Sequence, residues 1–353
     1  MESYHYLIVG QGLAGSLTAL ALLKRGCQVS VVDSAEADAA SRITGGLATP
    51  LAGPRLTFPA AGSPSVLFSW QRYQELERRF GCRILHRFTL LHNVCHRDEI
   101  PRYRKRKQQE PYARWLGDFH QPGGCNGILT DPLGSFEIHG GHLDAPTLLD
   151  ATARLLREQG SLYRQRFDPA ELEIDTDRVR WGEQSFTAAI FCEGPNARHN
   201  PFLAELDLTT IPGEVLTLAP EEPLPPYIFH AAGGWMAPLP NGEAKLGATY
   251  GQTDTPAIVS NTGRQTLLAQ LPRLLARPPA VRVSDHRAGL RPATPSKKPI
   301  LGRLPGKPLA LLNGLGSRAV LQAPYLADAL AEHLLNGAPI PQGCLSAQPP
   351  EPH

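Results

Sequence analysis

The segment from Tyr4 to Asp33 constrains this chain more than any other. Tyr4-His5-Tyr6-Leu7-Ile8-Val9 reads as a short buried strand, GQGLAG follows at Gly10 to Gly15, and SLTALALLKRG continues as a helix with apolar Leu17, Leu20 and Ala21. QVSVVD then gives a second strand ending in Asp33. The three glycines have separate tasks. Gly10 permits a tight turn, Gly12 lets backbone amides approach a pyrophosphate, and Gly15 lets the helix pack closely on its strand. Leu13 and Ala14 open the helix, whose N-terminus carries partial positive charge. Asp33 follows Gly15 by 18 residues, close to the roughly 20 expected of a carboxylate that accepts ribose hydroxyls and repels a 2′-phosphate. The unit predicts dinucleotide binding in an α/β protein; a tight turn in some other α/β protein is the alternative.

The rest of the composition excludes several classes. The chain has 353 residues and 42% hydrophobic content, enough for one large domain or two ordinary ones. With 35 Lys and Arg against 33 Asp and Glu the net charge is +2, so no chain-wide polyanion-binding surface is expected. No apolar run approaches the ~20 residues that span a bilayer, and MESYHYLIVG lacks a basic region before its apolar stretch. The expectation is a cytoplasmic protein without a membrane partner. The six cysteines form no CxxC pair, which suggests reduced thiols rather than a zinc site or disulfide framework.

Further along, ASRITGGLATPLAG (40 to 53) is rich in small residues suited to close ligand approach. VLFSWQRYQELERRF (66 to 80) has a helical apolar face, and RILHRFTLLHNV (83 to 94) has strand character. RYRKRKQQEPYARW (102 to 115) is strongly basic. It reads either as a solvated helix face or as an RNA-contacting surface with Tyr103, Tyr112 and Trp115 available for stacking. His86, His92, His96 and Cys95 lie nearby, but no spacing matches a ligand pair and no carboxylate is expected close by, so no metal is predicted.

Asp144 and Gly160 read as the N-cap and C-cap of an amphipathic helix. TAAIFCEGPNA (187 to 197) returns to an apolar strand before Gly194. Between 211 and 285, strand and turn segments with Asn241-Gly242 predict a separate antiparallel sheet. LALLNGLGSRAVLQAPYLADALAEHLLNG (309 to 337) is strand, glycine loop and helix, and its Gly314-Leu315-Gly316-Ser317-Arg318-Ala319 mimics a second fingerprint. Too little Pro-rich chain follows for another strand to be expected. That helix end must then point at another part of the first ligand, where positive charge suits an electron-accepting ring that becomes anionic on reduction.

Six segments in order resemble the D-amino acid oxidase and glycine oxidase family of FAD-dependent oxidoreductases, which includes the FAD domain of the bifunctional enzyme that trims 5-carboxymethylaminomethyluridine in tRNA. They are GQGLAG with Asp33, ASRITGGLATP, AIFCEGPNA, WMAPLPNGEAKLGAT, AGLRPATPSKKPILGRLP and NGLGSRAVLQAP. The resemblance implies a Rossmann-like FAD domain at 1–80, 141–211 and 286–342, an interleaved antiparallel-sheet substrate domain at 81–140 and 212–285, and a Pro-rich tail at 343–353.

By the same resemblance Gly10, Gly12, Gly15 and Asp33 hold the adenosine and pyrophosphate. Ser41, Arg42 and Gly46 pass near the pyrophosphate and ring, Gly194 sits at a close approach, and Gly314, Gly316, Ser317 and Arg318 face the flavin pyrimidine. Arg291 matches the arginine that clamps a substrate carboxylate, a task for which its fork is suited; an arginine paired with a structural carboxylate is the alternative. Two departures stand out: Trp235 occupies the place of a tyrosine and cannot donate a hydroxyl, and the usual TPD is TPS, with Ser296. No cysteine lies between Asp285 and Arg303, so non-covalent FAD is expected.

The implied activity is oxidation of a C–N bond in an amino acid or N-substituted glycine, with no side chain evident to deprotonate the amine and no motif fixing the electron acceptor. The alternatives are the same chemistry on a tRNA carboxymethylaminomethyl group, with 102 to 115 as docking surface, and an FAD-binding protein without turnover.

Overall fold

The computed structural model describes residues 4–348 except 37, 38, 44 and 232. In chain order the strands are β1 (His5–Val9), β2 (Gln28–Val32), β3 (Leu47–Ala48), β4 (Leu85–Asn93), β5 (Leu116–His120), β6 (Ser135–Leu143), β7 (Leu162–Tyr163), β8 (Leu172–Ile174), β9 (Val179–Trp181) and β10 (Gln184–Phe186). They continue with β11 (Ala188–Phe191), β12 (Thr209–Pro220), β13 (Tyr227–Ala231), β14 (Gly234–Pro238), β15 (Ala244–Gly247), β16 (Val281–Ala293), β17 (Ile300–Arg303), β18 (Leu309–Asn313) and β19 (Leu345–Ser346). The helices are α1 (Leu13–Lys24), α2 (Ala40–Ile43), α3 (Gly62–Phe80), α4 (Glu99–Lys107), α5 (Ala145–Glu158), α6 (Asn261–Leu268), α7 (Leu271–Leu274) and α8 (Ala319–Asn336).

A seven-stranded sheet, ordered β19-β17-β18-β11-β1-β2-β7, is parallel except where β17 meets β18. Its centre is apolar on both faces, as a sheet covered on both sides must be. In β1, Tyr6 and Ile8 pack with Leu17 and Leu20 of α1, while Leu7 and Val9 pack with Leu172, Trp181 and Phe186 of the small β8-β9-β10 sheet. Helices α3 and α8 pack together and α8 also lies along α1. Asp144 caps α5 by accepting from Thr147 N at 3.1 Å; the C-cap residue is Gln159, and Gly160 follows it with φ +67°.

The second sheet has nine strands in all. It runs β16-β12-β15-β14-β13-β4-β6-β3, with β5 also paired to β6. Side chains alternate across it as strand geometry requires. Leu91, Leu216, Phe229, Met236 and Leu246 point to one face, where Leu267, Leu271 and Leu274 of α6 and α7 cover them. The intervening residues Leu90, His92, Val215, His230 and Trp235 point to the other face and line a cavity.

Two expectations are corrected. The stretch from 211 to 285 contains α6 and α7 besides strands, and the sheet is mixed because β13 pairs parallel to β4. A strand does follow the last helix: β19 closes an edge by pairing with β17, so the first part of the Pro-rich tail is sheet and only 349–353 lie outside the described residues. Two junctions inferred from the resemblance, 140/141 and 285/286, fall inside β6 and β16, both strands of the nine-stranded sheet.

Candidate cofactor and substrate site

The cavity, about 800 Å³, lies between the carboxyl ends of the parallel strands and the inner face of the nine-stranded sheet. Its first wall is the β1-α1 turn. Gly10 has φ +98°, and a methyl group there would lie 2.5 Å from Cys192 O; one on Gly15 would lie 1.9 Å from Gly10 O. Only glycine allows α1 to approach β1 and β11 this closely. Gly12, Leu13 and Ala14 line the cavity, whereas Gly15 is buried behind them in the packing.

Asp33 directly follows β2 at the cavity wall. Its Oδ2 accepts from Gln11 N at 2.7 Å, and its Oδ1 accepts from Ala35 N at 2.7 Å and Arg164 at 3.1 Å. Ser41 Oγ accepts from Leu13 N at 2.9 Å, capping one of the helix-start amides. Arg42 is turned away: it pairs with Asp150 at 2.7 Å and is not a cavity residue. Gly46 has φ +65° and passes so close to β6 that a methyl group would sit 2.3 Å from Leu143 O.

The second glycine loop joins the same wall. Asn313 donates to Gly194 O at 2.9 Å and accepts from Gly314 N at 2.8 Å, tying the loops after β11 and β18 together. Gly194, Gly316, Ser317 and Arg318 line the cavity; Gly314 turns the chain behind them with φ +69°. Arg318 donates to Thr57 O at 3.0 Å, and burial lowers its pKa while Tyr250 partly opposes this.

Glu193 was not anticipated. It lines the cavity beside Gly194, and burial pushes its carboxyl up to about 7 despite a 2.8 Å hydrogen bond from Asn200. Backbone glycines gave the local signal, but the acid among them carried no pattern.

On the sheet side, Arg291 sits in β16 opposite Ile211, and its guanidinium folds back over Gly213, where a methyl group would lie 2.2 Å from Nη1. It donates to Pro212 O at 3.3 Å and Thr249 O at 3.2 Å, and rests 4.4 Å from the Tyr250 ring centroid. Burial lowers its pKa, with Tyr250 opposing. Among the described residues no carboxylate pairs with it. Trp235 packs against Gly45 and Gly247, either of which would clash with it if it carried a side chain. Tyr250, a residue that does carry a hydroxyl, also lines the cavity and is 62% exposed. Tyr250 follows the last strand of the WMAP hairpin, and sequence reading passed over it.

The histidines also differ from expectation, because a carboxylate does lie beside one. His92 Nε2 is 2.9 Å from Glu99 Oε2, and His92 Nδ1 is 2.8 Å from His230 Nδ1. Among the described residues no group of His, Cys, Asp and Glu is arranged to hold a metal. The basic segment is partly structural. Tyr103 and Trp115 are buried, so neither is free to stack on a base; Arg102, Arg106 and Lys107 donate to the carbonyls of Pro54, Leu56 and Leu116. Among the described residues no helix is long and apolar enough to cross a membrane.

A strand-turn-helix cradle, a terminal acid and a second glycine loop around one cavity define an α/β dinucleotide-binding oxidoreductase. The FAD dependent oxidoreductase family matches residues 5–333, and the chain belongs to that family, with FAD as its cofactor. The tRNA 5-methylaminomethyl-2-thiouridine biosynthesis bifunctional protein MnmC of Azoarcus sp. (strain BH72) is 25% identical over 379 residues, covering 95% of this chain and 57% of the relative. The protein of the same description from Caulobacter vibrioides is 28% identical, covering 95% of this chain and 55% of the relative. The chain thus spans little more than half the length of these relatives. Among solved structures, iminodiacetate oxidase from Chelativorans sp. BNC1 superposes with TM-score 0.80 at 22% identity over 98% of this chain and all of that one. Glycine oxidase from Geobacillus kaustophilus superposes with TM-score 0.76 at 22% identity over 96% of each chain.

Proposed function

We propose that this protein oxidises the C–N bond of an amino acid or N-substituted glycine, with non-covalently held FAD. The observation that carries the reading is Arg291: a half-buried, cavity-lining guanidinium aimed over a glycine and held by two carbonyls rather than by an acid. A cation in that state is ready for an incoming carboxylate, which its fork fixes in orientation as well as position. The bound flavin supplies the hydride acceptor; the chain supplies binding, orientation and exclusion of water.

The places of the remaining residues support the following cofactor roles. Gly10, Gly12, Leu13, Ala14, Gly15 and Ser41 frame the pyrophosphate, Asp33 meets the ribose, and Gly46, Gly194, Gly316, Ser317 and Arg318 surround the ring. Gly314 shapes its loop. Arg42, paired with Asp150, can serve only if that ion pair opens. Trp235 acts as a packing wall and Tyr250 as the hydroxyl donor near the carboxylate. The reading is tested by mixing the yellow holoprotein anaerobically with amino acids, N-substituted glycines and their decarboxylated counterparts. Bleaching of the flavin band by the acids supports it; bleaching by none of the panel counts against it.

A tRNA-borne carboxymethylaminomethyl group is the second reading, favoured by the tRNA-modifying relatives. Its docking surface would rest on Arg104 and Lys105 of α4, which make no hydrogen bond or ion pair among the described residues. Filter binding across a salt titration tests it, because several phosphate contacts produce a steep loss of affinity with salt.

A further inference from the structure

We propose that His230 is a hydrogen-bond acceptor for the distal end of the substrate, so that the cavity selects elongated N-substituted glycines whose substituent ends in an N–H or O–H donor. The inference deepens the proposed activity and rests on Arg291 holding the carboxylate.

The geometry begins with the sheet. His92, His230, Trp235, Gly247 and Val215 form one rung, each the direct cross-strand partner of the next across five adjacent strands. All of them present the same face, the one that lines the cavity. Arg291 reaches that face from beyond β12, with its guanidinium over Gly213. From β12 to β13 there are three strand spacings, on the order of 14 Å, with Trp235 between. Allowing a hydrogen bond at each end leaves roughly 8 Å between a carboxylate and a distal donor. An unsubstituted glycine is too short to use both ends.

The polarity of the His230 end is set by a chain of hydrogen bonds leading away from the cavity. Glu99 is buried, and its Oε1 accepts from Cys95 N and His96 N. Its Oε2 faces His92 Nε2 at 2.9 Å. Burial alone would raise the Glu99 pKa, but these donors outweigh it and hold the pKa below the ordinary value, so the group is an acceptor. At a pH where an imidazole carries a single proton, His92 must then hold it on Nε2, facing Glu99, and leave Nδ1 as a lone pair. The 2.8 Å contact to His230 Nδ1 requires that nitrogen to donate. His230 Nε2 is therefore left unprotonated, and it has no hydrogen-bond partner among the described residues. Burial lowers the His230 pKa to about 3, which keeps the ring neutral and an acceptor. His92 and Glu99 act as positioning residues, because they fix the tautomer without reaching the substrate.

This chain of donors makes the polarity reversible. In Glu99→Gln the two backbone amides keep the oxygen on their side, so the NH₂ faces His92. Each tautomer then flips, and His230 Nε2 becomes a donor. The experiment compares holoprotein kcat/KM at pH 8.5, where an ordinary imidazole is neutral, for two N-substituted glycines of matched length. One ends in pyrrole, a donor only, and the other in furan, which has no donor. Wild type should prefer pyrrole by about tenfold, since an unpaired buried polar group disfavours the other ligand. The ratio should fall to one in His230→Phe and to one or below in Glu99→Gln.

Glu99→Gln preserves shape and carries the test if His230→Phe does not fold. Equal use of pyrrole and furan by wild type, or an undiminished pyrrole preference in the variants, overturns the inference. Failure of the Arg291 reading looks different: pyrrole would still be preferred, but the decarboxylated amines would react as well as the acids.

Discussion

The two glycine loops differ in how much of their purpose lies within reach of one stretch of chain. GQGLAG completes a strand, helix and strand with Asp33, and although Gly10 also abuts Cys192, the contacts that complete the unit are local: Gly10 to Gly15, Gln11 to Asp33, Leu13 to Ser41. The loop at Gly314 to Arg318 copies the first half but has no terminal acid of its own. It gains meaning only from distant chain, through Asn313 to Gly194 and Arg318 to Thr57. A fingerprint closed by its own strand defines a ligand, whereas one without it serves a ligand defined elsewhere.

The comparison is broken most sharply at Gly15. Gly15→Val forces atoms into a space where even a methyl group meets Gly10 O at 1.9 Å, and α1 must move off the sheet. The expected outcome is loss of bound flavin and destabilisation by more than about 3 kcal/mol, read from the yellow colour and a denaturant melt. Gly316→Ala, where nothing lies within 4 Å of the added carbon, should retain flavin despite the strain of φ +57°. Equal flavin loss in both would erase the distinction.

Glu193 tests the shared wall through pH. Its folded pKa of about 7 lies above the unfolded value of 4.5, so between those values the folded chain holds a proton that the unfolded chain has released. Its contribution is complete below pH 4.5 and is lost as pH rises through 7, a change on the order of 3 kcal/mol at most. Glu193→Gln should remove that part of the slope of stability against pH. An unchanged slope means the carboxyl is already ionised near neutrality.

The smallest effect is expected at Asp33. Asp33→Ala should weaken FAD by about 1 to 3 kcal/mol, measured by fluorescence titration of the stripped protein. Part of the loss is structural, since Gln11 N and Ala35 N lose their acceptor. Unaltered affinity would remove Asp33 from the adenosine site.

What was legible in the sequence follows the same division. The β1-α1-β2 unit, the Asp144 cap and the helix at α3 depend on neighbours within a few residues, and periodicity or capping chemistry reveals them. Tyr250, Glu193 and the Glu99-His92-His230 chain depend on sheet register. His92 and His230 are 138 residues apart, joined by a parallel pairing of β4 with β13 inside a sheet whose turns read as antiparallel. Likewise β19 is two residues long, too short for any alternation, and exists because β17 offers an edge. Arg291 was legible as a residue through its resemblance to known relatives, but its freedom from a structural acid emerged only from the folded sheet.

The central claim is that Arg291 is held ready for a substrate carboxylate, and it is tested most directly by one paired measurement. The kcat/KM of an amine-bearing acid and of its decarboxylated analogue are compared in wild type and Arg291→Ala, with FAD content determined in both. Loss of a charge-assisted contact with a buried partner costs ~2 to 5 kcal/mol, so the acid should slow roughly 30-fold to several thousand-fold in the variant. The analogue should react equally poorly with both proteins, and flavin content should stay near normal. If wild type instead oxidises the analogue as well as the acid, the clamp does not exist and Arg291 is a structural residue.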